Sequence, residues 1–147
     1  MSEQVNQKQL VVFTLGSEHY ALPIQVVNEI IRYTEPRSVA SRTDWVRGVI
    51  SLRGRIVPVY DVAARLGLAS ELTEQSKIVI VEAGPETAGV IVDSVEEVLT
   101  VTDSQIEDAP GADAAMIESI VRIDERLIVL LTMGAIFADV AELSLAA

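Results

Sequence analysis

Val12-Phe-Thr-Leu-Gly-Ser-Glu-His-Tyr-Ala-Leu-Pro-Ile-Gln-Val-Val-Asn-Glu-Ile-Ile31 can be laid without a gap on Ile80-Val-Glu-Ala-Gly-Pro-Glu-Thr-Ala-Gly-Val-Ile-Val-Asp-Ser-Val-Glu-Glu-Val-Leu99, an offset of 68 residues. Gly16 then falls on Gly84, Ala21 on Gly89, Val27 on Val95, Glu29 on Glu97 and Ile30 on Val98. A second block follows in the same order. Val49–Val59 lies on Ile120–Leu130 at an offset of 71, with Leu52 on Ile123 and Arg55 on Arg126. The offsets differ by three residues, one small loop insertion. Matched glycines, a shared V-x-E-[IV] and two blocks in one order point to an internal duplication.

Within each copy the apolar residues form short runs rich in Val, Ile and Leu: Leu10–Leu15, Val49–Leu52, Ile56–Tyr60, Ile78–Val81, Gly89–Val92, Ile120–Ile123 and Leu127–Leu131. Their length and β-branching favour strands. Turn signals separate them at Gly16-Ser17, Arg53-Gly54, Gly84-Pro85 and Asp124-Glu125. The pattern predicts an all-β fold, two small barrels side by side or a sandwich. A barrel of about 70 residues buries only ~60% of its chain surface, so the two are expected to share a core. The expected boundaries are a flexible tail over 1–9, barrel 1 over about 10–76, barrel 2 over about 77–133 and a C-terminal helix and tail over 134–147. One helical turn is expected at Thr43–Arg47. Another, with an Asp61 N-cap and Gly67 beyond its end, is expected at Asp61–Gly67. Pro23 and Pro58 stand where the second copy has Ile91 and Val129, so their strands are expected to be edges or bulged.

The 147 residues are 50% hydrophobic, hold no cysteine and carry a net charge of −11. Disulfide scaffolds, Cys-ligated zinc and Cys nucleophiles are excluded. A polyanion would be repelled, so nucleic acid is not an expected partner. The longest charge-free stretch near the C-terminus, Leu127 to Ala138, has 12 residues. A bilayer span takes ~20, so it reads as buried core. The polar MSEQVNQKQ start has no apolar export signal, which points to the cytoplasm. The charge is uneven: residues 1–76 balance eight basic against eight acidic, while residues 77–147 hold three basic and fourteen acidic.

Catalytic chemistry is sparse. His19 is the only histidine and lies at a hairpin tip without a positioned partner. No phosphate-binding glycine loop and no metal-ligand spacing occurs, so no cofactor or metal is expected. Asp93 ends a strand-like run, but a phosphoacceptor needs a downstream lysine, and the only lysines are Lys8 and Lys77. A small hydrolase using Asp93 and Glu97 is the reading from the enzyme class, and it lacks a nucleophile–base pair. The remaining features suit binding. Glu29 and Arg53 each follow an apolar run and either pair at a barrel rim or are solvated separately. Val27, Ile30, Val95 and Val98 hold matching places. They serve as core, or they line a groove between the barrels that takes an amphipathic helix.

Val46-Arg-Gly-Val-Ile-Ser-Leu-Arg-Gly-Arg-Ile-Val-Pro-Val-Tyr-Asp61 is similar to the G-[VI]-x-x-[LI]-R-G-x-[IV]-x-P-[VI]-x-D signature of the CheW family, the coupling proteins of bacterial chemotaxis. Val12–Gly16, Tyr20–Ile24, Val27–Ile30 and Ala88–Val98 resemble its other motifs, and together they cover about residues 10–140. The resemblance implies two SH3-like β-barrels and a non-enzymatic adaptor between the histidine kinase CheA, through its regulatory domain, and the cytoplasmic tips of chemoreceptors. It implies recruitment to membrane receptor arrays and self-association into rings. The alternative is an adaptor of a pilus, biofilm or developmental pathway. Carried over by motif, Val27, Glu29, Arg53, Val95 and Val98 are receptor-groove residues, with Glu29 and Arg53 an ion pair holding the rim. Gly48 and Ile78 are kinase-contact candidates. The acidity of the second half is not part of the family pattern.

Overall fold

The computed structural model describes residues 6–40, 44–109, 111, 116–132, 134, 137 and 138. Its strands are β1 (Gln7–Leu15), β2 (Glu18–Pro23), β3 (Val27–Arg32), β4 (Val46–Leu52), β5 (Arg55–Tyr60), β6 (Lys77–Ala83), β7 (Glu86–Val92), β8 (Ser94–Thr102), β9 (Ile106–Glu107), β10 (Ile117–Ile123) and β11 (Arg126–Leu131). All four expected turns are two-residue hairpin connections. The β4–β5 turn has Arg53 at φ 52° and Gly54 at φ 79°, the paired left-handed conformations that match strand twist. One short helix, α1 (Val62–Arg65), is capped by the Asp61 carboxylate, which accepts from the Ala64 N–H at 3.0 Å. Thr43 lies outside the described residues. Asp44 and Trp45 form a turn, but Val46 and Arg47 are already in β4, so no helix forms there. Of the expected C-terminal helix, Gly134, Phe137 and Ala138 are described, and they are helical. Strand β1 starts at Gln7, inside the stretch read as tail.

The fold is all-β, in two sheets. One has the order β8-β1-β2-β11-β10-β9 and the other β3-β6-β7-β5-β4. The chain does not divide between them near residues 76 and 77. All five strands of the second sheet lie within residues 27–92, and the first sheet takes β1 and β2 from one end and β8 to β11 from the other. The two copies of the repeat have exchanged their first hairpins. Replacing each strand of the five-stranded sheet by its repeat equivalent gives β8-β1-β2-β11-β10.

Side-chain alternation explains the exchange. Hairpins β1–β2 and β6–β7 are apolar on both faces, so each needs a layer on either side. Leu10, Val12 and Ala21 face one sheet's own core with Val121, Ile128 and Leu130. Ile78, Ile80 and Ile91 face the other's with Ile50, Val57 and Val59. The opposite faces, Phe13, Leu15, Tyr20 and Leu22 against Val79, Val81, Val90 and Val92, meet in a shared core between the sheets. Exchange sets the two doubly apolar hairpins back to back and leaves the half-polar β4–β5 and β10–β11 hairpins outside.

The duplication extends to the irregularities. The register shifts between Val27 and Glu29 opposite β6, and between Val95 and Glu97 opposite β1. It shifts again between Val46 and Gly48, and between Ile117 and Ser119. The proline expectation is corrected: β2 and β5 are interior strands and neither proline sits at a register shift. Pro23 ends β2. Pro58 faces Val49, whose N–H and C=O turn away from β5 to Arg37 at 2.9 and 2.8 Å. This is therefore a non-hydrogen-bonded pair, and β4 asks no donor of Pro58. Parallel pairing of β5 with β7 begins only at Val59.

Candidate functional site

Strands β3 and β8 are the repeat-equivalent edges of the two sheets, and among the described residues neither has a partner on its outer side. Open edges invite protein contact. Val27 and Val95 pack against the shared core from these strands. One step along, Ile30 pairs with buried Val79, and Val98 pairs with buried Val11. Residues directly opposite one another share a face. Ile30 and Val98 therefore lie on the faces turned to the shared core, yet they are 40% and 54% exposed. Val27, Ile30, Val95 and Val98 outline an apolar strip along the seam between the sheets.

Glu29 does not join that strip. The register shift turns it to the other face of β3, opposite Ile80, where it lines a small cleft with Leu52, Arg53, Val57 and Thr87. There Arg53 donates Nη1 to Oε2 and Nη2 to Oε1 of Glu29, the second bond at 2.9 Å. These hydrogen bonds, and then the Glu29 charge, hold the Arg53 guanidinium above its ordinary pKa. Two parallel bonds fix geometry as well as charge. The pair fastens the β4–β5 tip to edge strand β3, and so supports the strip from behind. Of the five groove residues read from sequence, Val27, Val95 and Val98 face the seam, and Glu29 with Arg53 form the brace.

Gly48 and Ile78 do not suit a contact role. Ile78 is fully buried. Gly48 is buried at φ 146°, and a Cβ there would stand 2.0 Å from the Arg37 carbonyl oxygen. Its place is set by the bridge between Arg37 and Val49, which covers the β4 edge. Both residues act within the fold.

Asp93 is also structural. Its carboxylate accepts from the Gly16 N–H at 2.8 Å and from the Ser70 hydroxyl, tying the β1–β2 turn and the loop after α1 to the start of β8. Glu97 accepts from Arg126 at 3.0 Å, so the two proposed acids are each engaged apart. Among the described residues no group of three or more His, Asp or Glu could hold a metal ion, and no helix is long and apolar enough to cross a membrane. Ile30 was readable as a matching position. Arg32 and Lys77, treated below, carried no sequence signal, because only the strand register brings them together.

The family model described as a CheW-like domain matches residues 9–141. The probable chemotaxis protein CheW of Rhizobium etli is 31% identical over 137 residues, 90% of this chain and 88% of the relative. The chemotaxis protein CheW of Bacillus subtilis is 32% identical over 134 residues, 88% of this chain and 86% of the relative. The crystal structure of the scaffolding protein TtCheW from Thermoanaerobacter tengcongensis superposes with a TM-score of 0.81 at 34% identity, covering 86% of this chain and 90% of that one.

Proposed function

The chain belongs to the CheW-like family, and from that premise we propose that it joins the cytoplasmic tips of chemoreceptors to the regulatory domain of the histidine kinase CheA. It is a non-enzymatic scaffold of chemotaxis signalling. Relatives named for chemotaxis match 69–95% of this chain, whereas a relative named Protein PilI matches 56%, which favours this pathway over a pilus, biofilm or developmental one. The observation that carries the receptor half of the proposal is the seam strip: exposed Ile30 and Val98 on two open edge strands, over a shared core. An amphipathic helix laid along the seam would cover these side chains with its apolar face. The Glu29–Arg53 brace holds β3 in place for it. The kinase is assigned to other surfaces, because the strip would be occupied. A cytoplasmic position beneath membrane receptors follows from these partners.

The test is a pull-down of the cognate receptor's cytoplasmic fragment and the kinase regulatory domain by the purified protein. Capture of both, with receptor capture lost on Val98→Glu and kinase capture kept, is the expected result. Capture of neither overturns the proposal.

A further inference from the structure

Arg32 and Lys77 are register partners at the ends of β3 and β6. Counted from Ile30 and Val79, both lie on the seam face. Like charges directly opposite one another repel. Among the described residues Arg32 makes no hydrogen bond or ion pair, and Lys77 has only a 3.4 Å bond from Nζ to the Gln75 carbonyl. Arg32, Lys77 and the Thr73–Ser76 turn line an open cleft of about 550 Å³. Glu74 shares that cleft and pairs with neither cation. The equivalent register pair in the other sheet is Thr100 with Gln9, both uncharged.

The seam strip is nearly two-fold symmetric in its apolar residues, so by itself it would accept a helix in either direction. The cation pair breaks that symmetry. We propose that Arg32 and Lys77 form a clamp that receives a carboxylate of the partner helix and so fixes its direction along the seam. This rests on the receptor reading above. Ile30 and Arg32 are two residues apart on a strand, roughly 6.6 Å. One helical turn rises about 5.4 Å. The partner's acidic residue therefore lies one turn from the apolar residue that covers Ile30. In the reversed direction that acid would meet the uncharged Thr100 and Gln9 instead.

The test titrates the full chain with the cognate receptor's cytoplasmic fragment, spin-labelled at one end. Wild type is expected to show broadening of amide signals at one end of the seam only. The Arg32→Gln/Lys77→Gln double variant should bind roughly tenfold more weakly at low salt and broaden both ends, with the affinity gap closing at about 0.5 M salt. The Arg32→Glu/Lys77→Glu variant should bind more weakly still. Wild-type affinity and one-ended broadening in both variants overturns the clamp and leaves the receptor reading standing. No binding by wild type overturns both. Saturation of the Arg32 and Lys77 signals by micromolar inorganic phosphate would make this a free-anion site and overturn the clamp.

Discussion

At the first position after the register shift in β4, the five-stranded sheet has Gly48. In β10 the six-stranded sheet has Ser119. The backbone paths match, but their covers differ. Arg37 bridges to Val49 and brings its carbonyl where a Gly48 side chain would be, whereas β9 covers the other edge by pairing Glu107 with Ile120 and leaves room for a hydroxyl. The same divergence runs through the molecule. Gly89 in β7 lies where a Cβ would be 2.7 Å from the Ile78 Cγ2, while its equivalent Ala21 carries one. Glu29 takes its arginine from the turn, at Arg53. Glu97 takes its own from the strand, at Arg126, because the turn position there is Asp124. Charge separates along the same line. Residues 24–93, which hold the five-stranded sheet, have nine acids and eight basic residues, and the flanking segments have thirteen and three. Duplication has kept the apolar frame and the register shifts. What changed is the edge covers, the rims and the net charge.

Swapping residues between equivalent positions tests this comparison directly. The largest effect is expected for Gly48→Ser, which installs the other sheet's residue against the Arg37 carbonyl at a positive φ. A loss of about 3 kcal/mol in urea denaturation is expected. Unchanged stability would mean the Arg37 cover moves freely. Gly89→Ala should cost about 2 kcal/mol by overpacking Ile78. Its mirror, Ala21→Gly, should cost about 1 kcal/mol through chain entropy. Equal costs would remove the packing distinction between the cores. At the rims, Arg53→Glu should weaken receptor binding roughly tenfold, and Arg37→Glu, an equal charge change, should weaken it less. Equal effects at both sites would deprive the Glu29–Arg53 brace of a special role. The smallest change is expected for Ser119→Ala. The Ser119 hydroxyl is buried with no hydrogen-bond partner among the described residues. Its removal should leave stability unchanged or raise it by about 0.5 kcal/mol.

The repeat, the four hairpin turns and the Asp61 cap were legible in the sequence, because each rests on residues close together in the chain. Hairpin exchange was not. A half that pairs its own strands and a half that pairs its twin's satisfy the same alternation, and the choice falls to packing of doubly apolar faces across the seam. Gly48 and Ile78 were misplaced for a related reason: a family motif marks residues the fold needs as strongly as those a partner needs. Glu29 and Arg53 could be read as a pair, but not as a brace behind the strip, since one register shift decides which face Glu29 takes. The acidity assigned to the second half lies outside residues 24–93, which hold the five-stranded sheet, and β1 and β2 add little charge of their own.

Hairpin exchange also sets an order of assembly on the ribosome. The five-stranded sheet is contiguous in the chain and can form once β7 has emerged. The β1–β2 hairpin is made first and finished last, since its neighbour β11 is encoded 103 residues after β2 ends. At ~5–20 residues per second the wait is about 5–20 s. Throughout it, a ribbon that is apolar on both faces lacks at least one of its two eventual layers. Newborn copies translated side by side on one message would each display that ribbon beside the other's. The strand swap that completes one molecule is then equally open to two.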